Sequence, residues 1–133
     1  MRLNPYLSFN GQCRAAFKFY ERVLGGKITF MTTWGESPMA KEFPQEMHGR
    51  IMHASLIVGD SVLMGADPPP EHFEQPKGIS ISLNYEDTEE ARRIFEALSK
   101  DGSVLMPFQK TFWAEGFGMC VDQFGIPWMV NSG

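Results

Sequence analysis

The chain is poor in the features that mark several common protein classes. No apolar run approaches the roughly 20 residues a membrane-spanning helix needs, and MRLNPYLSFN at the start lacks the apolar stretch of a secretory signal. The expectations are no membrane association and a cytoplasmic location. There are only 2 cysteines, Cys13 and Cys120, one in a predicted helix and one in a predicted strand. That is no disulfide framework, and two buried thiols are expected. There is no excess of positive charge: the formal net charge is -4, with an isoelectric point near 5.3. A mildly acidic chain without a basic stripe is a poor grip for phosphate backbones, so nucleic acid is not expected as a partner. Histidines number 3, His48, His53 and His72, and no H-x-x-H or H-E-x-x-H spacing occurs. No G-x-G-x-x-G joins a strand to a helix: Gly116 and Gly118 lie in a strand region with no helix behind them.

What the chain does have is an apolar fraction of 43%, 9 methionines and 13% aromatics within 133 residues. That suits one domain with a sizeable core. Many of these residues fall late, at Phe108, Phe112, Trp113, Phe117, Met119, Phe124, Trp128 and Met129. They are either core or an adaptable ligand lining.

Leu3 to Phe9 reads as a strand. Cys13, Ala16, Phe17, Tyr20, Val23 and Leu24 recur at three- and four-residue steps, and Gly25-Gly26 supplies a helix stop. Lys27 to Trp34 is β-branched and aromatic and reads as a strand. Gly35 to Gly49 reads as a loop. Arg50 to Val58 and Ser61 to Gly65 read as a hairpin about Gly59-Asp60. Residues 68–77 form a stiff proline-rich linker. The plan then repeats: a strand at Gly78 to Tyr85, and a helix opening at Asp87 with Glu90 in capping-box position and ending at Asp101-Gly102. Strands follow at Val104 to Lys110, Phe117 to Asp122 and Ile126 to Asn131. The fold class is therefore α+β, a single domain over 1–133 with module one at about 1–67 and module two at about 78–133. Each βαβββ module leaves one sheet face uncovered. The pair is expected to form a partly closed, mixed β-sheet lining a cleft.

Candidate polar groups are few. His53 lies mid-strand in IMHASLIV. It is either a strand histidine satisfied by a backbone partner or an acid-base or hydrogen-bonding group facing a ligand. It is the candidate catalytic residue and the best polar ligand contact. Asp67 at the hairpin end is next, unless it shapes the turn before Pro68. Phe112, Trp113 and Phe117, set among small residues in FWAEGFG, either stack on a planar or apolar ligand or cement an interface.

Three stretches carry a family likeness: NPYLSFNGQCRAAFKFYERVLGG, IMHASLIVGDSVLMGAD and TFWAEGFGMCVDQFGIPWMVN. Through them the chain resembles the PhnB-like branch of the vicinal oxygen chelate superfamily, which includes glyoxalase I, bleomycin-resistance proteins and extradiol dioxygenases. The resemblance implies the glyoxalase fold, a homodimer and a small organic ligand. Metal-dependent members hold a divalent ion on four strands. Laid on this chain, their ligand positions fall at Pro5, Met64, Ser80 and Met129. None suits a hard or borderline cation, so no metal and no other cofactor is expected. Met64 then becomes a ligand-lining residue. The implied function is a metal-free small-molecule binding protein of the bleomycin-resistance type. A lyase, isomerase or oxygenase acting on a small metabolite is the alternative. Some relatives bear the name 3-demethylubiquinone 3-methyltransferase, which the missing Gly-rich loop does not support.

Overall fold

The computed structural model describes all residues 1–133. It contains β1 (Tyr6–Ser8), α1 (Cys13–Leu24), β2 (Lys27–Thr33), β3 (Ile51–Val58), β4 (Ser61–Ala66), β5 (Ile81–Tyr85), α2 (Thr88–Ser99), β6 (Ser103–Gln109), β7 (Gly116–Val121) and β8 (Pro127–Ser132). The fold is α+β, with βαβββ used twice. Each module builds its own open four-stranded sheet, in the order β1-β4-β3-β2 and then β5-β8-β7-β6. In both, the first strand runs parallel to the last and the other pairs are antiparallel. Residues Met1–Gln75 and Pro76–Gly133 each form a compact unit. No helix is long and apolar enough to cross a membrane.

In the first unit α1 buries Cys13, Ala16, Phe17, Phe19 and Tyr20 against one sheet face, where Leu7, Ala54, Leu56 and Leu63 are also buried. Gly65 makes this close packing possible: a Cβ there would stand 2.8 Å from a Phe17 ring carbon and 2.9 Å from the Leu7 carbonyl oxygen. Gly25, at φ 73°, ends the helix in the left-handed conformation. In the second unit α2 buries Ala91, Ile94, Phe95 and Leu98 against Cys120, Trp128 and Val130. Asp87 caps α2, accepting from the Glu89 amide at 3.1 Å. The helix is followed by Asp101 in the left-handed region at φ 61°, a conformation aspartate tolerates better than most residues.

Two strands are shorter than the alternation suggests. The first begins at Tyr6, because Pro5 has no N–H to add to the ladder. Its carbonyl is still used, accepting from Met64 N at 3.0 Å. The strand expected from Gly78 begins at Ile81, and Ile79 is exposed. The region from Gly35 to Gly49 contains two 3-10 turns, Ala40–Glu42 and Gln45–Met47. Buried Trp34 packs against Phe43 with centroids 4.6 Å apart and the rings tilted by 49°, and His48 Nε2 lies 2.8 Å from Ala40 O and 3.1 Å from Phe43 O. A core tryptophan and a histidine clamp therefore hold this stretch. Within 68–77, Pro70–His72 forms a further 3-10 turn.

Candidate functional site

The first unit's sheet has one face covered by α1 and one that is not. Register places Tyr6 beside Met64, Met64 beside Ser55 and Ser55 beside Phe30. Cross-strand partners share a face, and so do residues two apart on one strand. His53, two before Ser55, therefore joins this row on the face turned away from α1. Its ring is the centre of a small cluster. The Tyr6 hydroxyl lies 2.9 Å from His53 Nδ1, and the Ser55 hydroxyl lies 3.3 Å from His53 Nε2. The Tyr6 ring stands 5.5 Å from the imidazole on one side and the Phe30 ring 5.8 Å on the other. Tyr6 is 51% exposed and Phe30 52%. Burial, and secondarily the Cys13 thiol, hold the Tyr6 hydroxyl above its ordinary pKa of 10.0, which keeps it a neutral phenol. The cluster can therefore offer hydroxyl hydrogen bonds beside two aromatic faces.

Tyr6 and Ser55 were not visible as site residues in the sequence. The alternation in LNPYLSF placed Tyr6 on a strand, but its reach across β4 to a histidine 47 positions away comes only from the parallel β1–β4 pairing. His53 pairs with side chains, and neither of its ring nitrogens is bonded to a backbone group.

Asp67 has a different role. It is 1% exposed, and its Oδ1 accepts from the amides of Gly11 at 2.8 Å and Cys13 at 3.1 Å. Its Oδ2 accepts from Ile51 N at 2.9 Å, and its carbonyl accepts from Trp34 Nε1 at 2.8 Å. This carboxylate ties the start of α1 to β3 and the Trp34 loop, and it turns inward rather than toward a ligand. Asp122 repeats the device in the second unit. Its Oδ1 accepts from Phe124 N at 2.8 Å and Ile126 N at 3.0 Å, and its Oδ2 accepts from Trp128 Nε1 at 2.8 Å.

In the second unit Phe112, Trp113 and Phe117 do meet. Trp113 is edge-on to Phe112 at 4.7 Å and to Phe117 at 5.3 Å. Phe117 is buried and Trp113 half-exposed, while Phe112 is 97% exposed. Thr111 and Ala114 close the supporting turn, Thr111 N donating to Ala114 O at 3.1 Å and Ala114 N to Thr111 Oγ1 at 3.1 Å. On the face away from α2, one row runs Asn84, Asn131, Phe117, Gln109 and another Ser82, Met129, Met119, Met106. The residue facing Met129 is thus Ser82.

No three His, Cys, Asp or Glu side chains converge on a common point. Both cysteines are free and buried. Burial, then the nearby Asp67 carboxylate, pushes the Cys13 thiol well up. Burial, then Asp122, pushes Cys120 to about 11. Neither is a thiolate near neutral pH, and neither is a poised nucleophile.

The chain is similar to several known proteins. Protein YjdN of Escherichia coli is 37% identical over 98% of this chain and 95% of its own length. The crystal structure of PA1353 from Pseudomonas aeruginosa superposes with a TM-score of 0.91 at 47% identity, covering 99% of this chain and 97% of that one. A PhnB protein from Bacillus cereus that also bears a 3-demethylubiquinone-9 3-methyltransferase name matches with a TM-score of 0.84, at 22% identity and over the full length of both chains. That likeness carries the fold alone. Residues 2–130 match the model of the Glyoxalase/Bleomycin resistance protein/Dioxygenase superfamily, and the chain belongs to that superfamily.

Proposed function

We propose that this protein binds a small, neutral organic molecule on the uncovered sheet face of its first unit, without a metal ion. The observation that carries the reading is the Tyr6–His53–Ser55 cluster, in which polar atoms stand beside two half-exposed rings. Binding sites of this kind are mostly apolar, with a few placed polar groups that fix orientation. Met64, between Tyr6 and Ser55 in the row, adds an adaptable thioether.

The divalent ion of metal-dependent superfamily members does not fit here. Of the positions where its ligands would stand, Pro5 has no side-chain donor, Met64 and Met129 are soft thioethers, and Ser80 or its neighbour Ser82 offers a single neutral hydroxyl. Such a set does not hold a hard or borderline cation. Phe112 and Trp113 supply a second exposed aromatic surface, suited to a planar ligand or to a second copy of the chain. We infer a cytoplasmic homodimer, and light scattering that finds a monomer at micromolar concentration would contradict it.

A thermal-shift screen of neutral ring-bearing compounds tests the binding reading. A ligand at 100 times its Kd should raise the melting temperature by roughly 8 °C for a domain of this size, and His53→Ala should remove most of that rise. No stabilisation by any compound class would count against binding. An enzymatic reading, as a lyase, isomerase or oxygenase, is favoured by one observation: a histidine with a phenol at hydrogen-bond distance can relay a proton. Turnover that His53→Ala abolishes, in a protein that still folds, would favour it over simple binding.

A further inference from the structure

The Tyr6–His53–Ser55 chain has a preferred direction, and that direction fixes what kind of group a ligand presents. A neutral imidazole has one N–H and one bare nitrogen, so it donates at one side and accepts at the other. Here Nδ1 faces a phenol at 2.9 Å and Nε2 an aliphatic hydroxyl at 3.3 Å. A phenol is a stronger acid than either a neutral imidazole N–H or a serine hydroxyl, so the favourable order is Tyr6 O–H to Nδ1, then Nε2–H to Ser55 Oγ. The single Tyr6 proton is then spent inward. What remains is the Tyr6 oxygen with free lone pairs, on a residue that is 51% exposed.

The surroundings narrow the ligand further. The row of Tyr6, Met64, Ser55 and Phe30 carries no formal charge. A charged ligand confined to this row would lose water without gaining a counter-ion, Lys27 standing in the next row beside Ile57. The tilted Tyr6 and Phe30 rings flank the imidazole, with centroids 5.5 Å and 5.8 Å from it, and their faces suit another ring.

We propose, resting on the binding reading of this same face, that Tyr6 is its ligand-contacting residue and recognises a neutral, ring-bearing molecule through an O–H or N–H group donated to the Tyr6 oxygen. His53 is the positioning residue, accepting the phenol proton, and Ser55 accepts the remaining Nε2–H.

Two measurements on the full chain test this. In the first, nitrogen-15 NMR of the histidine rings should find the His53 proton on Nε2 and an accepting, unprotonated Nδ1. Tyr6→Phe, which keeps the half-exposed ring, should move Nδ1 to the shift of an unbonded bare nitrogen. A proton on Nδ1 would reverse the chain, turn the Tyr6 O–H outward and overturn the proposal. In the second, phenol and anisole are titrated as probes of equal ring and different polarity. Phenol should perturb the Tyr6, His53 and Phe30 resonances and bind about five-fold more tightly than anisole, the worth of roughly one hydrogen bond. Tyr6→Phe should erase that preference. Equal affinity for the two probes would overturn the role of Tyr6 while leaving binding at the face intact. Perturbation by neither would overturn the proposal, and the compound screen would then decide the wider binding reading on its own.

Discussion

Asp67 and Asp122 show how much a single carboxylate contributes when buried among chain amides. Each accepts three N–H bonds within its unit. Asparagine in either place keeps the shape but offers one oxygen and turns an N–H2 toward donors. Asp67→Asn should therefore cost about 3 kcal/mol, as should Asp122→Asn, because buried donors are left unpaired. Urea denaturation measures this, and a loss under about 0.5 kcal/mol would deny Asp67 its anchoring role. The sequence could not assign that role. The donors to Asp67 lie 56, 54 and 16 residues away, so beside Pro68 the aspartate looked like a turn former or a ligand contact. Trp128 is the opposite case: its alternation with Ile126 and Val130 made it core, and it is 1% exposed.

The thiols make a second prediction at this scale. The Cys120 pKa rises from its ordinary 9.0 to about 11 in the folded chain, and Cys13, Tyr6 and Tyr85 shift in the same direction. Between the two Cys120 values the unfolded chain binds fewer protons than the native one, so stability falls as pH rises. The stabilising contribution is fully present below about 9 and lost as pH passes about 11. Urea midpoints taken across that window should decline, and Cys120→Ser should flatten the slope. An equal slope in that variant would place the effect on the other groups.

At the scale of elements, each helix lies against its sheet through a phenylalanine laid over a glycine. Phe17 of α1 covers Gly65 of β4, and Phe95 of α2 covers Gly118 of β7, where a Cβ would stand 2.7 Å from the Phe95 ring. Gly118→Ala should cost about 1–3 kcal/mol, since neither a central strand nor a helix ring can yield without moving its neighbours. Gly49→Ala is the control for space alone: nothing lies near its Cβ, and its φ is outside the left-handed region. Gly118→Ala as harmless as a surface change would mean that α2 shifts freely on its sheet. These elements were legible in the sequence because periodicity and stop residues agree. Cys13, Ala16, Phe17 and Tyr20 fall at helical steps before Gly25, and all four are buried. The stretch from Gly35 to Gly49 was not legible in the same way. Its order comes from Trp34 bonding Asp67 O and from His48 meeting two carbonyls, and carbonyl partners leave no mark in a residue pattern.

At the scale of the molecule, the same connectivity serves twice while the uncovered faces differ. The first unit presents Tyr6, His53, Ser55 and Phe30. The second presents Ser82, Met129, Met119 and Met106 in one row and Asn84, Asn131 and Gln109 around Phe117 in the next. The superfamily likeness was legible because its glycines, aromatics and hairpins are needed by the backbone itself. The Tyr6–His53–Ser55 cluster was not, because it depends on strand register rather than on a motif. The faces share a lack of charged oxygen donors, and that bears on how stability responds to metal removal. A resident divalent ion bound only by the folded chain would stabilise it in proportion to the logarithm of free metal over its dissociation constant. On the metal-free reading proposed above, with hydroxyl, amide and thioether groups in place of carboxylate and imidazole pairs, no such term is there to remove. Prolonged dialysis against EDTA should leave the melting temperature within about 1 °C, and added magnesium, manganese or zinc at 1,000 times a micromolar Kd should fail to deliver the rise of roughly 12 °C that saturation of a native-state site implies. A reproducible drop on chelation, restored by one metal at one equivalent per chain, would instead require ligands drawn from side chains that do not meet in this fold.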